Sequence, residues 1–208
     1  MKSETRFRIA VSVAAVAMSL LTGYAISQPS MQPKNTLASP ESFATIADTE
    51  KRSAAMFTEL GKVLTHPRCT NCHPASDRPR QGDDRRLHQP PVTRGADGHG
   101  VAAMRCPICH GPANFDPGRV PGHPEWHLAP ASMAWEGKTV GEICEQIKDP
   151  ARNGNRKVEE LIHHIGDDTL VGWAWAPGYG REPAPGTQKQ AKALVDEWVK
   201  TGAACPAK

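Results

Sequence analysis

The sequence predicts an all-α protein with long irregular loops, and three observations carry that expectation. Apolar residues recur at three- and four-residue steps in four separated stretches, the spacing that lines one face of a helix. Between the first and second of these, residues 74–138 show little periodicity and are punctuated throughout by proline and glycine. The five-residue pattern C-x-x-C-H occurs twice, as Cys69-Thr70-Asn71-Cys72-His73 and as Cys106-Pro107-Ile108-Cys109-His110.

Taken in order, the chain opens with Lys2, Arg6 and Arg8, followed by an uncharged apolar run from Ile9 to Thr22. Small residues follow, with Ala25-Ile26-Ser27 placed as a cleavage site before Gln28. The run is shorter than the ~20 apolar residues of a membrane span. Residues 1–27 therefore read as an export signal, with an uncleaved anchor as the alternative. Residues 28–40 are polar and contain proline, a flexible tether ahead of one domain spanning 41–208.

From Glu41 the pattern is helical, through Phe43, Ile46 and Ala47 and then Met56, Phe57, Leu60, Val63 and Leu64. Pro67 disfavours helix at the residue before it, so the helix should stop near Thr65 and deliver the chain to Cys69. Order resumes at Thr139, which forms a capping box with Glu142 ahead of Val140, Ile143, Cys144 and Ile147, and Pro150 ends that helix. A short helix over 156–165 carries Val158, Leu161, Ile162 and Ile165 and stops at Gly166. A loop from Val171 to Pro185 leads to the last helix. Thr187 and Gln190 cap it, Ala191, Leu194, Val195, Trp198 and Val199 form its buried stripe, and Gly202 ends it.

C-x-x-C-H is the attachment pattern of a c-type haem. Two thiols three positions apart each add to one vinyl group of a porphyrin, and the adjacent imidazole binds the iron from the proximal side. Cys69, Cys72, Cys106 and Cys109 are therefore the candidates for covalent attachment of two haem c groups, with His73 and His110 as proximal ligands. Two porphyrins also give residues 74–138 something to wrap, since a structureless loop of that length is otherwise out of place in a compact domain. A four-cysteine zinc ribbon shares the pair spacing but leaves both histidines unexplained. Haem is attached on the outer side of a bacterial-type membrane, so the export signal and the motif support each other. Arg78, Arg80, Arg85, Arg86 and Arg94 lie between the motifs, either pairing with propionates or standing as solvated loop charge.

The full chain has 25 basic and 22 acidic residues. Removing the signal takes away three and one of these, leaving 22 against 21, near neutrality once propionates are added. No dense basic helix or aromatic–basic interleaving points to nucleic acid. Hydrophobic residues make up only 38% of the chain, thin for a self-sufficient core, and buried porphyrins would supply the missing apolar mass. Cys144 and Cys205 remain beyond the two motifs, and in an oxidising compartment they are expected to form a disulfide.

The residue opposite each proximal histidine decides between electron transfer and small-molecule binding at the metal. His66 lies too close to Cys69 to cross to the far face, and His163 points away from the apolar stripe on which His164 borders. His88 precedes Cys106 by enough chain to reach around a porphyrin. His99 stands between Gly98 and Gly100, where absent side chains would let backbone approach a flat ring. His127 sits in the apolar setting of Trp126 and Leu128. His88 or His99 is the expected partner of His110, and His127 or His164 that of His73. Met104 and Met133 are the thioether alternatives, and Trp173 and Trp175 are core or haem-packing residues.

With these segments in view the chain resembles periplasmic dihaem c-type cytochromes, and more closely a small bacterial family labelled a subunit of isoquinoline 1-oxidoreductase. The resemblance covers most of residues 56–206. It rests on Thr65-His66-Pro67-Arg68-Cys69, Arg94-Gly95-Ala96-Asp97-Gly98-His99-Gly100, Trp126-His127-Leu128-Ala129-Pro130, Asp149-Pro150-Ala151-Arg152-Asn153-Gly154 and Leu170-Val171-Gly172-Trp173-Ala174-Trp175. Trp198 to Pro206 is similar to the closing helix of other bacterial haem-c domains. Such domains often carry Met-Pro-Pro shortly before that helix; here Trp173-Ala174-Trp175-Ala176-Pro177 stands there, which favours bis-histidine ligation.

The resemblance implies cytochrome c-like helices around two haems, in an electron-accepting subunit beside a molybdenum hydroxylase. The chain has no molybdopterin or iron–sulfur motif of its own. The expectation is a periplasmic carrier moving electrons between a dehydrogenase or hydroxylase and a further carrier, not itself an enzyme, and membrane-associated only if the signal is retained. The alternatives are a dihaem peroxidase-type enzyme with one open site, for which the chain is short, and a zinc-stabilised module.

Overall fold

A computed structural model describes residues 35–208. The residues expected to form an export signal and the first part of the expected tether lie outside the described residues. The described chain is all-α: 40% is helical and only 3% is strand. Among the described residues, no helix is long and apolar enough to cross a membrane.

The core is a small helical frame. Helix α1 (Thr49–Leu64) buries Met56, Phe57, Leu60, Val63 and Leu64, the stripe its spacing predicts. It packs against the last helix of the chain, where the rings of Phe57 and Trp198 lie 4.8 Å apart. Buried Ser53 joins the two, donating to the Trp198 carbonyl at 3.2 Å and accepting from the Ala204 amide at 3.0 Å. On another side of α1, Gly61 lets Val140 approach so closely that a Cβ there would lie 2.6 Å from its methyl carbon.

Val140 opens α3 (Val140–Lys148), whose N-terminus carries the expected capping box. Thr139 accepts from the Glu142 amide at 3.2 Å, and Glu142 accepts from the Thr139 amide at 2.8 Å. Short α4 (Glu160–Gly166) supplies Leu161 and Ile165, and α5 (Thr169–Gly172) is capped by Asp168. The last helix, α6 (Gln188–Lys200), starts at Thr187, which accepts from the Gln190 amide. It ends in a Schellman arrangement, with Gly202 at φ +97° and the Ala203 amide donating back to the Trp198 carbonyl at 2.8 Å. Just beyond, Cys205 is disulfide-bonded to Cys144 of α3, as the cysteine count predicts.

Several details differ from the sequence-based expectation. The helix expected from Glu41 is interrupted: Pro40–Phe43 is a single 3₁₀ turn, and α1 begins only at Thr49. Asp48 accepts from the Lys51 amide, so a new cap wins over continuation, and Arg52 donates to the Ile46 carbonyl left at the break. The helix expected over 156–165 starts at Glu160, after a turn in which Gly154 and Asn155 both have positive φ. The loop beginning at Val171 contains the end of α5 and a 3₁₀ turn at Trp173–Trp175. Residues 35–40, expected in the flexible tether, belong to the packed unit. Leu37 is buried in the core, and the Asn35 carbonyl accepts from the Gly186 amide at 2.7 Å.

Residues 74–138 hold only the two-residue antiparallel strands β1 (Arg80–Gln81) and β2 (Arg86–Leu87), with 3₁₀ turns at Cys106–Ile108, Asp116–Gly118 and Ala131–Met133. Buried Arg94 gathers this region, donating to the carbonyls of Ala129 and Ser76 and facing Asp77 at 3.6 Å.

The disulfide closes a loop of 61 residues. Replacing Cys144 and Cys205 with serine should lower the unfolding free energy by about 4 kcal/mol on the chain-entropy estimate. A denaturant midpoint unchanged from the parent would contradict this.

Candidate functional site

The two C-x-x-C-H segments fold as the same single turn. In the first, the short helix α2 (Pro67–Thr70) follows α1 almost directly, and His66 accepts from the Arg68 amide at its N-terminus. That role explains His66 without a ligand. The Cys72 amide donates to the Cys69 carbonyl at 3.1 Å, and the His73 amide donates to the same carbonyl at 3.1 Å. In the second, Cys109 and His110 donate to the Cys106 carbonyl at 3.1 and 2.9 Å. One helical turn thus sets both thiols and the imidazole of each motif on a common segment. None of the four thiols is disulfide-bonded.

Each of these histidines is oriented by a backbone carbonyl. His73 Nδ1 lies 2.7 Å from the Met133 carbonyl oxygen, and His110 Nδ1 lies 2.7 Å from that of Pro121. A carbonyl only accepts, so Nδ1 carries the proton and Nε2 keeps a lone pair, the tautomer a metal requires. Each ring also has an indole parallel to it. Trp135 stacks on His73 at 3.5 Å and 4°, and Trp126 lies over His110 at 5.0 Å and 20°. Trp173 meets Trp126 edge-on at 4.9 Å and donates from Nε1 to Asn114 at 2.9 Å.

In the first turn burial dominates the electrostatics. Burial pushes the Cys69 thiol up to about 12, with Cys72 adding to the rise. Burial likewise pushes Cys72 up to about 11, against the pull of Arg68 and with a contribution from Cys106 of the other motif. His73 is driven down to about 3, by burial first, while its bond to Met133 opposes the shift and His164 and Arg94 add to it. Burial also lowers His110, and His88 lowers it further. Thiol pairs built for redox exchange need depressed values, the opposite of what Cys69 and Cys72 have. Among the described residues, no three His, Cys, Asp or Glu side chains are grouped so as to hold a metal ion between them.

The candidates for the opposite position separate by what their Nδ1 does. His88 Nδ1 lies 2.9 Å from the Pro90 carbonyl, His99 Nδ1 3.0 Å from that of Asp97 and His127 Nδ1 2.6 Å from that of Glu125. His164 Nδ1 faces the Asp168 carboxylate at 3.3 Å. All four therefore leave Nε2 as the free lone pair. By contrast, His123 accepts the Glu125 amide on Nδ1 and meets Thr169 on Nε2, and His163 is exposed beside Asp167.

Placement differs among the four. His88 stands beside His110, ring centres 5.9 Å apart. His99 stacks on His127 at 4.9 Å. The charge of His164 is felt at His73, and that of His127 at His164. The glycines around His99 permit close backbone contacts. Gly98 and Gly100 have φ of +82° and +91°, and a Cβ on either would strike the carbonyl of Leu128 or Met104. Met133 is buried in the helical core, and Trp175 packs against that core and donates to the Pro185 carbonyl.

Some donors near the turns have no partner. Arg78 Nε, Arg80 Nε and Trp135 Nε1 are buried without a hydrogen bond. Of the other inter-motif arginines, Arg86 pairs with Asp84, Arg85 donates to the Thr65 carbonyl and Arg94 holds the loop. The stacked indoles Trp135 and Trp126 escape a sequence reading based on periodicity. The available clue was large aromatic residues in a loop where solvated side chains are the rule.

No family model, no curated protein and no solved structure matches this chain.

Trp135 is almost fully enclosed and supports the His73 ring, whereas Trp126 is half-buried. Trp135→Ala should therefore cost about 3–5 kcal/mol and Trp126→Ala less, as read from denaturant midpoints. The reverse order would show that Trp135 is not an anchor of the loop.

Proposed function

We propose that this chain is an exported, periplasmic dihaem c-type cytochrome that carries electrons between a dehydrogenase or hydroxylase and a further carrier. The observation that carries the reading is the doubled turn: two C-x-x-C-H segments with the same backbone hydrogen bonds, each histidine held by a carbonyl so that Nε2 is free. In this reading Cys69 and Cys72 hold one haem and Cys106 and Cys109 the other, with His73 and His110 as proximal ligands. Bound haem would supply the one-electron couple.

The residues present fit that group. Arg78 and Arg80 each keep a buried donor suited to a propionate, as does the Trp135 indole N–H. The exposed apolar residues around the second turn, Ile108 at 67% and Phe115 at 61%, are surface that a porphyrin would cover. The imidazole directly after each thiol pair favours this reading over a redox thiol pair or a zinc ribbon, neither of which accounts for it. The resemblance to the isoquinoline 1-oxidoreductase subunits supports a molybdenum hydroxylase as the donor, and the near-neutral mature chain suits docking without strong electrostatic steering.

Intact mass of protein exported by a haem-attaching host should exceed the polypeptide mass by two haems. Cys69→Ala and Cys106→Ala should each weaken attachment at their own motif alone. A mass of bare polypeptide, or bound zinc, would sink the proposal.

The two sites should also differ in potential. Cys69 packs against the helical core, whereas Cys109 and Ile108 face solvent. Enclosure disfavours the more highly charged ferric form. A spectroelectrochemical titration should resolve two one-electron steps, and the double variant Cys106→Ala/Cys109→Ala should abolish the lower one. Loss of the upper step in that variant would reverse the assignment.

A further inference from the structure

His110 has another imidazole beside it, and the local chain is built to hold that imidazole there. His88 follows β2 directly, so the hairpin positions its backbone. Its amide donates to the Pro79 carbonyl at 3.1 Å, and its carbonyl accepts from Arg78 Nη2 at 3.3 Å. The next residue is held as well, the Gln89 amide donating to Gln81 at 2.9 Å. Three residues of the hairpin region, Arg78, Pro79 and Gln81, thus hold the backbone at His88 and Gln89 that secondary structure alone would leave loose.

The two rings are complementary in what they leave free. On His110, Pro121 occupies Nδ1 and Trp126 lies parallel to the ring, so the remaining functional atom is Nε2. On His88, Pro90 occupies Nδ1, and again Nε2 remains. The ring centres are 5.9 Å apart and the planes are inclined by 59°. Two imidazoles sharing one metal, each through a bond of about 2 Å, have centres about 6 Å apart once the half-widths of the rings are added. His99, the competing candidate, instead stacks on His127 with planes only 27° apart.

We infer that His88 would join His110 in holding the iron of a haem at the His110 site, leaving that iron closed to substrates. This rests on the dihaem reading and goes beyond it by naming one residue. Arg78 completes the arrangement. It grips the His88 carbonyl through Nη2 while its buried Nε has no partner, a donor left over that would suit a propionate of the same haem.

The test uses the full exported chain with both haems attached and compares it with His88→Ala, His88→Met and His99→Ala. Intact mass establishes haem content, and electron paramagnetic resonance counts low-spin iron. His88→Ala should keep two haems and convert about half of the low-spin intensity to high-spin, and added imidazole should restore it. His88→Met should keep two haems and raise one of the two midpoint potentials. His99→Ala should change neither readout. Two haems with full low-spin intensity in His88→Ala, or the loss appearing in His99→Ala, would overturn the His88 assignment while leaving the dihaem reading intact. Parent protein with no haem on Cys106 and Cys109 would overturn both. Where His88→Ala fails to accumulate, the potential of His88→Met decides, an unshifted pair of midpoints counting against the assignment.

Discussion

The contact between α1 and α6 is the constraint on which the rest of this structure depends. Helix α1 runs almost directly into the first C-x-x-C-H turn, so whatever fixes α1 fixes Cys69, Cys72 and His73. It is fixed by the Phe57–Trp198 ring contact and by Ser53, whose hydroxyl serves both the Trp198 carbonyl and the Ala204 amide. The disulfide from Cys205 to Cys144 then ties the same chain end to α3. Sequence neighbours at one end of the protein are held by residues from the other, and the irregular segment between must follow.

That segment is ordered by a different means. With strands of only two residues, residues 74–138 cannot satisfy their polar groups through ladders, and side chains supply the missing partners. Arg94 serves carbonyls on two separate loops, Pro121 and Met133 are bound by the two motif histidines, and the His73 carbonyl accepts from the Trp135 and Glu136 amides at 2.9 and 3.2 Å. The bonds that order the loop also choose the imidazole tautomer.

What was legible in the sequence follows from this division. The helical frame obeys local rules, so the Thr139–Glu142 capping box, the Thr187 cap, the stop at Gly202 and the buried stripes of α1 and α6 could all be read from spacing. The Cys144–Cys205 pair followed from counting. Local competition hid the break before Thr49, where Asp48 offers a cap that periodicity does not register. Long-range contacts hid the burial of Leu37 and the use of Gly98 and Gly100 as close-approach points for backbone. In the candidate site, the motif residues were legible and the two indoles were not. Stacking on His73 or His110 depends on where a loop returns, and no periodicity encodes that.

The doubled turn shows how one local sequence can be given two environments. The backbone hydrogen bonds of Cys69–His73 and Cys106–His110 are the same, so the local geometry of ligand presentation is the same. The difference lies in what is packed around each. The first turn continues the frame, and Trp135 lies close against its histidine. The second is carried wholly by loops, and Trp126 stands further off. On the proposed reading, chemistry is set at this second level. The turn would hold an iron, and the surroundings would determine how readily it gives up an electron. The first turn borrows the frame's packing, while the second needs only carbonyls and a hairpin to position its groups.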